Sequence, residues 1–411
     1  MRDSTSQPMC AFGHCARSPL SSVVVTTMSP IALSRTMRMR GCSLEPTRGM
    51  LQNPSRGVPY TAAMKRWSNQ PLMPAPRIAL VANDAIGNYV IATSLAVMLR
   101  SRFAGSRIEL WSGDRVRDFV DRGSVFDCAY EFLRRDDAAT SAEIVRAHAA
   151  AGGRAYDLVV NIEDSAQARQ LPRRLAAAGT FVCGPTEFAD GTALPWPNDD
   201  RGRLWGHREW IAADIATQFP WLQSGYIGEF FCRLAYCDGP VPQAKVSREP
   251  WHGAQPDILI AMSASLPDKL WSVGAWRDAL TTLRADGLTI GLIGAAPTSQ
   301  KSHWLGSDAE DMVVTEGLAL DMRGQLRLPQ VVDCMTKAKA VLTLDNGIMH
   351  LAATTDTPVV ALFRHGIHRL WKPSWGRVEA IVASAGSPVE TIAREPVIAA
   401  MRTALVMAPA V

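Results

Sequence analysis

The chain has 411 residues, 47% of them hydrophobic and 20% charged, and its formal net charge is +4. This length and balance fit a globular protein with two domains of ordinary size, and no apolar run reaches the roughly 18 residues of a membrane-spanning helix. Ten Lys/Arg and two acids lie in residues 1–77, so the remainder is slightly acidic and indicates no nucleic-acid partner. The eight cysteines form no CxxC pair or Cys/His cluster, which favours free thiols in a reducing compartment over disulfides or zinc.

Residues 1–76 are predicted to be a disordered N-terminal extension. They are rich in Ser, Thr, Pro, Arg and Met and show no sustained apolar period. An Arg- and Ser-rich, acid-poor segment is typical of a transit peptide. Alternatively, an upstream start was assigned in error, and Met64 or Met73 is the true first residue.

Strands and helices alternate from residue 77, which predicts a doubly wound α/β domain over residues 77–237. The predicted strands are short and apolar, as in buried parallel sheets: "RIALVA", "RIELWS", "FDCAYEF", "YDLVVNI" and "TFVCG". Apolar residues at helical spacing lie between them, beginning with "IGNYVIATSLAVMLRSRF". Residues 184–224 form an irregular insertion, and "YIGEFFCRLAYC" is then predicted to be a helix.

A Pro- and Gly-rich linker is predicted at residues 238–256, after which the alternation restarts. A second α/β domain is predicted over residues 257–383, with strands at "DILIAM", "LTIGLIG", "KAVLTL" and "TPVVALF", followed by closing helices over 384–411. Two similar halves joined by a linker imply a cleft between them, with ligands at the carboxyl ends of the strands.

The second half places an acid, an amide, a glycine and a histidine where a strand ends and a helix begins. In "LTLDNGIMHLAATTDTPVVALF", Asp345, Asn346 and Gly347 follow the strand, and His350 lies one turn into the helix. A helix N-terminus favours an anion, a glycine admits close approach, and an acid accepts hydrogen bonds from sugar hydroxyls. Alternatively, Asp345 or Asn346 caps the helix and His350 is a partly buried structural residue; the residues alone leave both interpretations open.

The stretch "DNGIMHLAATTDTPVVALF" resembles the C-terminal signature of glycosyltransferase family 9, the heptosyltransferases of lipopolysaccharide assembly. Asp345, Gly347, His350 and Pro358 match that pattern position by position, and a weaker similarity extends over residues 77–383. The resemblance implies a GT-B fold, in which two Rossmann-like domains face a cleft and the second holds a nucleotide-diphospho-sugar. Asp345, Asn346, Gly347 and His350 are therefore expected to bind the donor.

Two further segments of the second half bear on the donor. In "SASLPDKLWSVGAWRDAL", Lys269 and Trp271 fit the family pattern, whereas Leu270 replaces its usual arginine. The resemblance implies that Lys269 contacts the donor diphosphate and that Gly294 admits the nucleotide; alternatively, Lys269 is a solvated surface charge. In "FRHGIHRLWKPSWGR", Arg364 and the histidine that follows it replace small residues of the family, which fits either a phosphate contact or an exposed loop.

The first loop, "NDAIGNYVIATSLAVML", departs from the family pattern. Gly87 matches, but Asn88 stands where the family has the aspartate taken as general base. Because an amide does not take up a proton at neutral pH, Asp84 on the same loop is the nearest substitute. Glu163 and Asp164, after the fourth strand, are more distant candidates.

The resemblance implies a metal-independent inverting glycosyltransferase that moves a sugar from a nucleotide-diphospho-sugar, with ADP-heptose as the family donor, to a glycan or lipopolysaccharide-type acceptor. No cofactor or metal is expected, because the sequence holds no Asp-X-Asp motif. The expected location is the cytoplasm, with peripheral contact to the inner membrane left open. Two alternatives remain: a catalytically weak protein that binds nucleotide sugars or glycans, and a sugar-nucleotide epimerase of the same architecture.

Overall fold

The structure of the protein is a computed structural model that describes residues 64–407 apart from 121, 122 and 208, and without the side chains of 302 and 303. Residues 1–63 of the predicted extension lie outside the described residues, as do 408–411. None of the described helices is long and apolar enough to cross a membrane.

The first domain is built on a six-stranded parallel sheet with the order β1-β6-β5-β2-β3-β4. Its strands are β1 Lys65–Arg66, β2 Arg77–Val81, β3 Arg107–Ser112, β4 Cys128–Glu131, β5 Leu158–Asn161 and β6 Phe181–Cys183. Its helices are α1 Ile86–Arg102, α2 Arg117–Val120, α3 Asp137–Ala150, α4 Ala166–Leu175, α5 Asp200–Trp205, α6 Ile215–Gln218 and α7 Ile227–Leu234. The predicted strand and helix alternation is confirmed, and the described part of the irregular insertion contains the short helices α5 and α6.

The first domain begins earlier than the predicted boundary at residue 77. Lys65 and Arg66 pair in parallel with β6, and Trp67 is fully buried, with its ring 5.3 Å from that of Tyr236. Residues 64–76 were therefore wrongly assigned to the extension. A two-residue strand has no apolar run from which it could be predicted. It forms by pairing with β6, which is distant in the sequence.

The second domain repeats this design with the order β12-β11-β10-β7-β8-β9, again all parallel. Its strands are β7 Ile258–Ala261, β8 Ile290–Leu292, β9 Leu320–Asp321, β10 Ala340–Leu344, β11 Val359–Phe363 and β12 Val378–Val382. Its helices are α8 Val273–Ala285, α9 Pro297–His303, α10 Ser307–Thr315, α11 Leu328–Lys337, α12 Gly347–Ala353, α13 Ile367–Trp371 and α14 Arg394–Val406. Helix α14 packs on α8 and the central strands, so the closing segment is part of this domain.

Alternate residues of each central strand face different hydrophobic clusters. Ile78 and Leu80 of β2 belong to a cluster that also contains Leu259 of β7, whereas Val81 belongs to a cluster confined to the first domain. Ile260 of β7 faces a cluster confined to the second domain. The shared cluster therefore lies between the two sheets, and burial on both faces explains why the strands are continuous apolar runs.

The segment between the domains is fixed to both of them. It contains no helix or strand over residues 238–256. The Ser247 hydroxyl donates to the Phe119 carbonyl of the first domain at 2.8 Å, and Arg248 pairs with Asp333 of α11 at 2.6 Å. These contacts hold the two sheets at one relative position, with their carboxyl edges facing a common space.

Candidate functional site

A cavity of about 700 Å³ lies between the carboxyl ends of the two sheets. Its walls include residues from the loops after β2, β3 and β4 of the first domain and after β7, β8, β9, β10 and β11 of the second. Parallel α/β sheets bind ligands at this edge because side chains and free helix N-termini converge there. The predicted Asp84, Asn88, Lys269, Gly294, Asp345, Asn346, Gly347 and His350 all line this cavity.

Lys269 and Asp345 form an ion pair on the second-domain wall. The Lys269 ammonium lies 2.8 Å from Asp345 Oδ2 and 3.2 Å from the Asp345 carbonyl oxygen. Lys269 ends a short 3-10 turn, Pro267–Lys269, after β7, and Asp345 is the first residue after β10. Both side chains are largely buried, at 17% and 6% exposure. The lysine is therefore not a solvated surface charge but a cation held at the cavity wall.

Asn346 is the N-cap of α12. Its side-chain oxygen accepts hydrogen bonds from Ile348 N at 3.0 Å and Met349 N at 3.3 Å, and its Nδ2 donates to the Ser263 carbonyl at 3.0 Å. These bonds satisfy orphan donors of the helix and tie the loop after β10 to the loop after β7. The capping alternative therefore applies to Asn346, whereas Asp345 faces the lysine.

The two matched glycines allow α1 and α12 to approach each other. A Cβ on Gly347 would lie 2.9 Å from Ile86 Cβ and 3.2 Å from Gly87 N. A Cβ on Gly87 would lie 2.8 Å from His350 Cδ2, well inside van der Waals contact. The absence of a side chain at both positions is thus required by the contact between the domains.

His350 is buried within this contact, with 3% exposure. Its ring lies 6.3 Å from that of Tyr226, nearly parallel, and 6.1 Å from that of Trp371, edge-on. Burial lowers the pKa of His350 to about 4, so the imidazole is neutral at physiological pH and supplies no positive charge. Its Nδ1 has no hydrogen-bond partner within the described part of the chain.

Asp84 is buried on the first-domain wall and bound by Arg134. One guanidinium nitrogen of Arg134 contacts Asp84 Oδ1 at 3.1 Å and the other contacts Oδ2. Arg134 also contacts Asp114 at 3.0 Å. Since both oxygens of Asp84 face one guanidinium, this pair would have to open before Asp84 could take a proton. Its partly buried neighbour Asn88 lines the cavity.

The more distant acids do not line the cavity within the described chain. Glu163 has 4% exposure, and burial raises its pKa to about 7 although Ser165 N and the Asn83 side chain donate to it. Asp164 lies 3.4 Å from Arg169, and burial raises its pKa as well. Asn83 lines the cavity and donates a hydrogen bond to Glu163, so Glu163 lies directly behind a residue of the cavity wall.

The end of the cavity near Gly294 also contains Gln300, which no sequence motif indicates. A Cβ on Gly294 would meet nothing closer than Arg323 Cγ at 3.7 Å, so the protein itself leaves room there. Gln300 has 1% exposure and donates to Glu310 at 3.1 Å. Burial raises the pKa of Glu310 to about 7. Gln300 belongs to no motif, and its acidic partner is on another helix.

Three residues near Lys269 have different surroundings. Arg364 lines the cavity and pairs with Asp268 at 2.6 Å. Leu270 packs against the core of the second domain. Trp271 is buried and donates to the Ile392 carbonyl at 2.7 Å, so it supports the fold. No group of three or more His, Cys, Asp or Glu that could hold a metal ion occurs among the described residues.

Comparisons with known proteins agree with this architecture. The family model described as glycosyltransferase family 9 (heptosyltransferase) matches residues 240–395. Lipopolysaccharide heptosyltransferase 2 of Salmonella typhimurium is 31% identical over 99 residues, which are 24% of this chain and only 27% of the relative. This match therefore covers about a quarter of that protein.

The fold is shared over a longer span. The crystal structure of a family 9 glycosyltransferase from Veillonella parvula aligns with a TM-score of 0.63 and 14% identity, covering 82% of this chain and 99% of the other. An E. coli ADP-heptose lipopolysaccharide heptosyltransferase II aligns with a TM-score of 0.58 and 18% identity, covering 80% and 98%. These alignments confirm the GT-B architecture, and the family-model match over residues 240–395 agrees with the resemblance to glycosyltransferase family 9 stated from the sequence.

Proposed function

We propose that the protein transfers a sugar from a nucleotide-diphospho-sugar to a hydroxyl of a glycan or lipopolysaccharide-type acceptor, with ADP-heptose as the first donor to test. The observation that carries this proposal is the cavity shared by both domains, with the Lys269–Asp345 pair on one wall and Asn88 and Asp84 on the other. A donor on the second domain and an acceptor on the first would meet in this space. The family-model match over residues 240–395 and the relatives' printed names support the donor class.

The reaction would be a single displacement at the anomeric carbon. The acceptor oxygen forms the new glycosidic bond as the bond to the diphosphate breaks, which inverts the anomeric centre. The acceptor proton passes to a base, and the nucleoside diphosphate leaves with the bonding electrons. The Lys269 ammonium would offset the charge that develops on the leaving diphosphate, a form of stabilisation that is strong in a site shielded from water.

The Asp345 carboxylate would have a second role beside its pair with Lys269. Its position at the carboxyl end of β10 suits hydrogen bonds to donor sugar hydroxyls. Closure of the two domains over the donor would exclude water, and the contact between α1 and α12 already brings both walls together. Lysine supplies the charge, so we propose that transfer requires neither a metal nor a cofactor; full activity after treatment with EDTA is the expected result.

A catalytically weak binding protein is the second candidate function, and two observations favour it. Asn88 cannot accept the acceptor proton, and Asp84 is paired with Arg134 through both oxygens. General-base assistance contributes roughly 10²–10⁴-fold to rate. Its loss would leave donor binding intact and transfer slow.

Thermal unfolding with ADP-, UDP- and GDP-sugars tests the donor site first. A ligand that binds only the folded protein raises the melting temperature, and no shift with any of the three would refute the donor proposal. Product analysis with and without a lipopolysaccharide core acceptor then separates the candidates. A glycosyltransferase consumes the donor only with acceptor, an epimerase converts it alone, and a binder does neither. An acceptor of this class would place the protein in the cytoplasm beside the inner membrane, which fractionation of cells would test.

A further inference from the structure

The donor wall of the cavity contains a second cation–acid pair beside Lys269 and Asp345. The 3-10 turn Pro267–Lys269 contributes one residue to each pair, Asp268 and Lys269. Lys269 contacts Asp345 at 2.8 Å, and Arg364 contacts Asp268 at 2.6 Å. Both cations line the cavity, whereas Asp268 does not.

We propose that Arg364 is a donor-phosphate ligand that works beside Lys269, and that Asp268 competes with the ligand for its guanidinium. This assignment rests on the proposed function, because it requires a diphosphate in the cavity. It adds a residue at the end of β11 to a site otherwise formed by the loops after β7 and β10.

Arg364 has the position and the unused donors for this role. Its side chain is only 19% exposed, so it is held at the wall and not extended into solvent. Its Nη1 donates to Asp268, while its buried Nε has no hydrogen-bond partner among the described residues. A guanidinium carries several N–H donors in a planar fork that matches phosphate oxygens two at a time.

The charges on this wall explain why a second cation matters. Without a ligand, Lys269 and Arg364 are balanced by Asp345 and Asp268, so the wall is close to neutral. A nucleoside diphosphate adds negative charge that a single lysine, already paired with an acid, offsets only in part. The phosphate oxygens could displace Asp268, whose side chain is half exposed at 48%.

The test measures the affinity of purified variants for nucleoside diphosphates and for the corresponding free nucleosides by calorimetry. ADP, UDP and GDP are the probes, and the one that binds the wild type most tightly is used throughout. Arg364→Met is expected to weaken diphosphate binding by roughly tenfold or more, since a hydrogen bond to a charged group is lost. The free nucleoside should bind both proteins alike, and Arg364→Lys should be intermediate because it keeps the charge but not the fork.

Asp268→Asn gives the second, opposite expectation. It removes a negative charge but keeps an oxygen that can accept from Arg364, so diphosphate affinity should rise by a few-fold while nucleoside affinity is unchanged. Arg402→Met is the matched control, because it breaks an arginine–aspartate pair of 2.9 Å with Asp286, and neither residue lines the cavity; its diphosphate affinity should equal that of the wild type.

Two results would overturn the assignment of Arg364 alone: an unchanged diphosphate affinity in Arg364→Met, or a loss in Asp268→Asn as large as that in Arg364→Met, which would make the pair a structural unit. If Arg364→Met does not fold, the Arg364→Lys and Asp268→Asn affinities decide in the same way. Absence of binding of all three diphosphates to the wild type would instead refute the donor site itself.

Discussion

Gly87→Ala tests whether the two domains meet as tightly as the structure indicates. The new Cβ would lie 2.8 Å from His350 Cδ2, so either the imidazole or the whole of α1 has to move by about 1 Å to restore a normal carbon–carbon distance. The imidazole has little freedom, because it is buried between Tyr226 and Trp371. Overpacking of this kind costs about 1–3 kcal/mol.

The assay is thermal unfolding, with a matched glycine as control. At roughly 2–4 °C per kcal/mol for domains of this size, Gly87→Ala should lower the melting temperature by about 2–12 °C. Gly274 also lies in the first turn of a helix, but a Cβ there would meet nothing within 4 Å. Gly274→Ala is therefore expected to raise the melting temperature slightly, since alanine loses less entropy on folding.

A double-mutant cycle identifies His350 as the obstructing group. In an His350→Ala background the ring is absent, so the added methyl has space and its cost should fall to near zero. An equal cost in both backgrounds would show that the obstruction lies elsewhere. A melting temperature in Gly87→Ala at or above that of the wild type would refute the close contact altogether.

The remaining predictions concern charge and protonation. Lys269→Met should weaken binding of a nucleoside diphosphate by about tenfold or more in calorimetry, whereas Lys339→Met, which breaks the 2.8 Å pair with Asp257 far from the cavity, should not. Asn88→Asp should raise the rate of sugar transfer, by up to about 10²–10⁴-fold if a base is what the site lacks; an unchanged rate in a steady-state assay would place the base elsewhere. Because burial lowers the folded-state pKa of His350 to about 4, the unfolded chain takes up a proton there that the folded chain does not, and stability should fall by about 3 kcal/mol between pH 6.5 and 4. Glu310 has a raised pKa and therefore contributes an opposite dependence of the free energy of unfolding on pH. The free energies of unfolding of the wild type and of His350→Gln are therefore compared by urea unfolding at pH 7 and pH 5. The same pH dependence in both proteins would contradict the burial argument.

The fold was predictable wherever a segment carries its own pattern. Strands such as β2 and β10 are buried on both faces, and that burial demands the continuous apolar runs from which they were predicted. Strands β1 and β9 have two residues each, too few for any periodicity. They form because a neighbouring strand edge offers backbone partners, and that information lies in the tertiary structure.

The candidate site was predictable as a set of positions but not as a set of contacts. Lys269 and Asp345 are 76 residues apart in sequence, and nothing local indicates that they pair. Arg134, which binds Asp84, lies 50 residues away from it, and no local pattern indicates this pair either. Each of these pairs forms because the carboxyl ends of different strands lie side by side at one edge of a sheet. The sequence shows that these residues follow strands, but it does not show which of them become neighbours.

The contacts also divide the predicted donor residues by what they can still offer a ligand. The side-chain oxygen of Asn346 caps α12, and its side-chain nitrogen donates to the loop after β7. Gly347 packs against Ile86. Lys269 is different, because its ammonium lies at the cavity wall beside Asp345, and a Cβ on Gly294 would meet nothing closer than 3.7 Å. The predicted donor residues therefore divide into two groups: Asn346 and Gly347 build the loop and the junction between the domains, whereas Lys269 and Gly294 leave charge and room at the cavity.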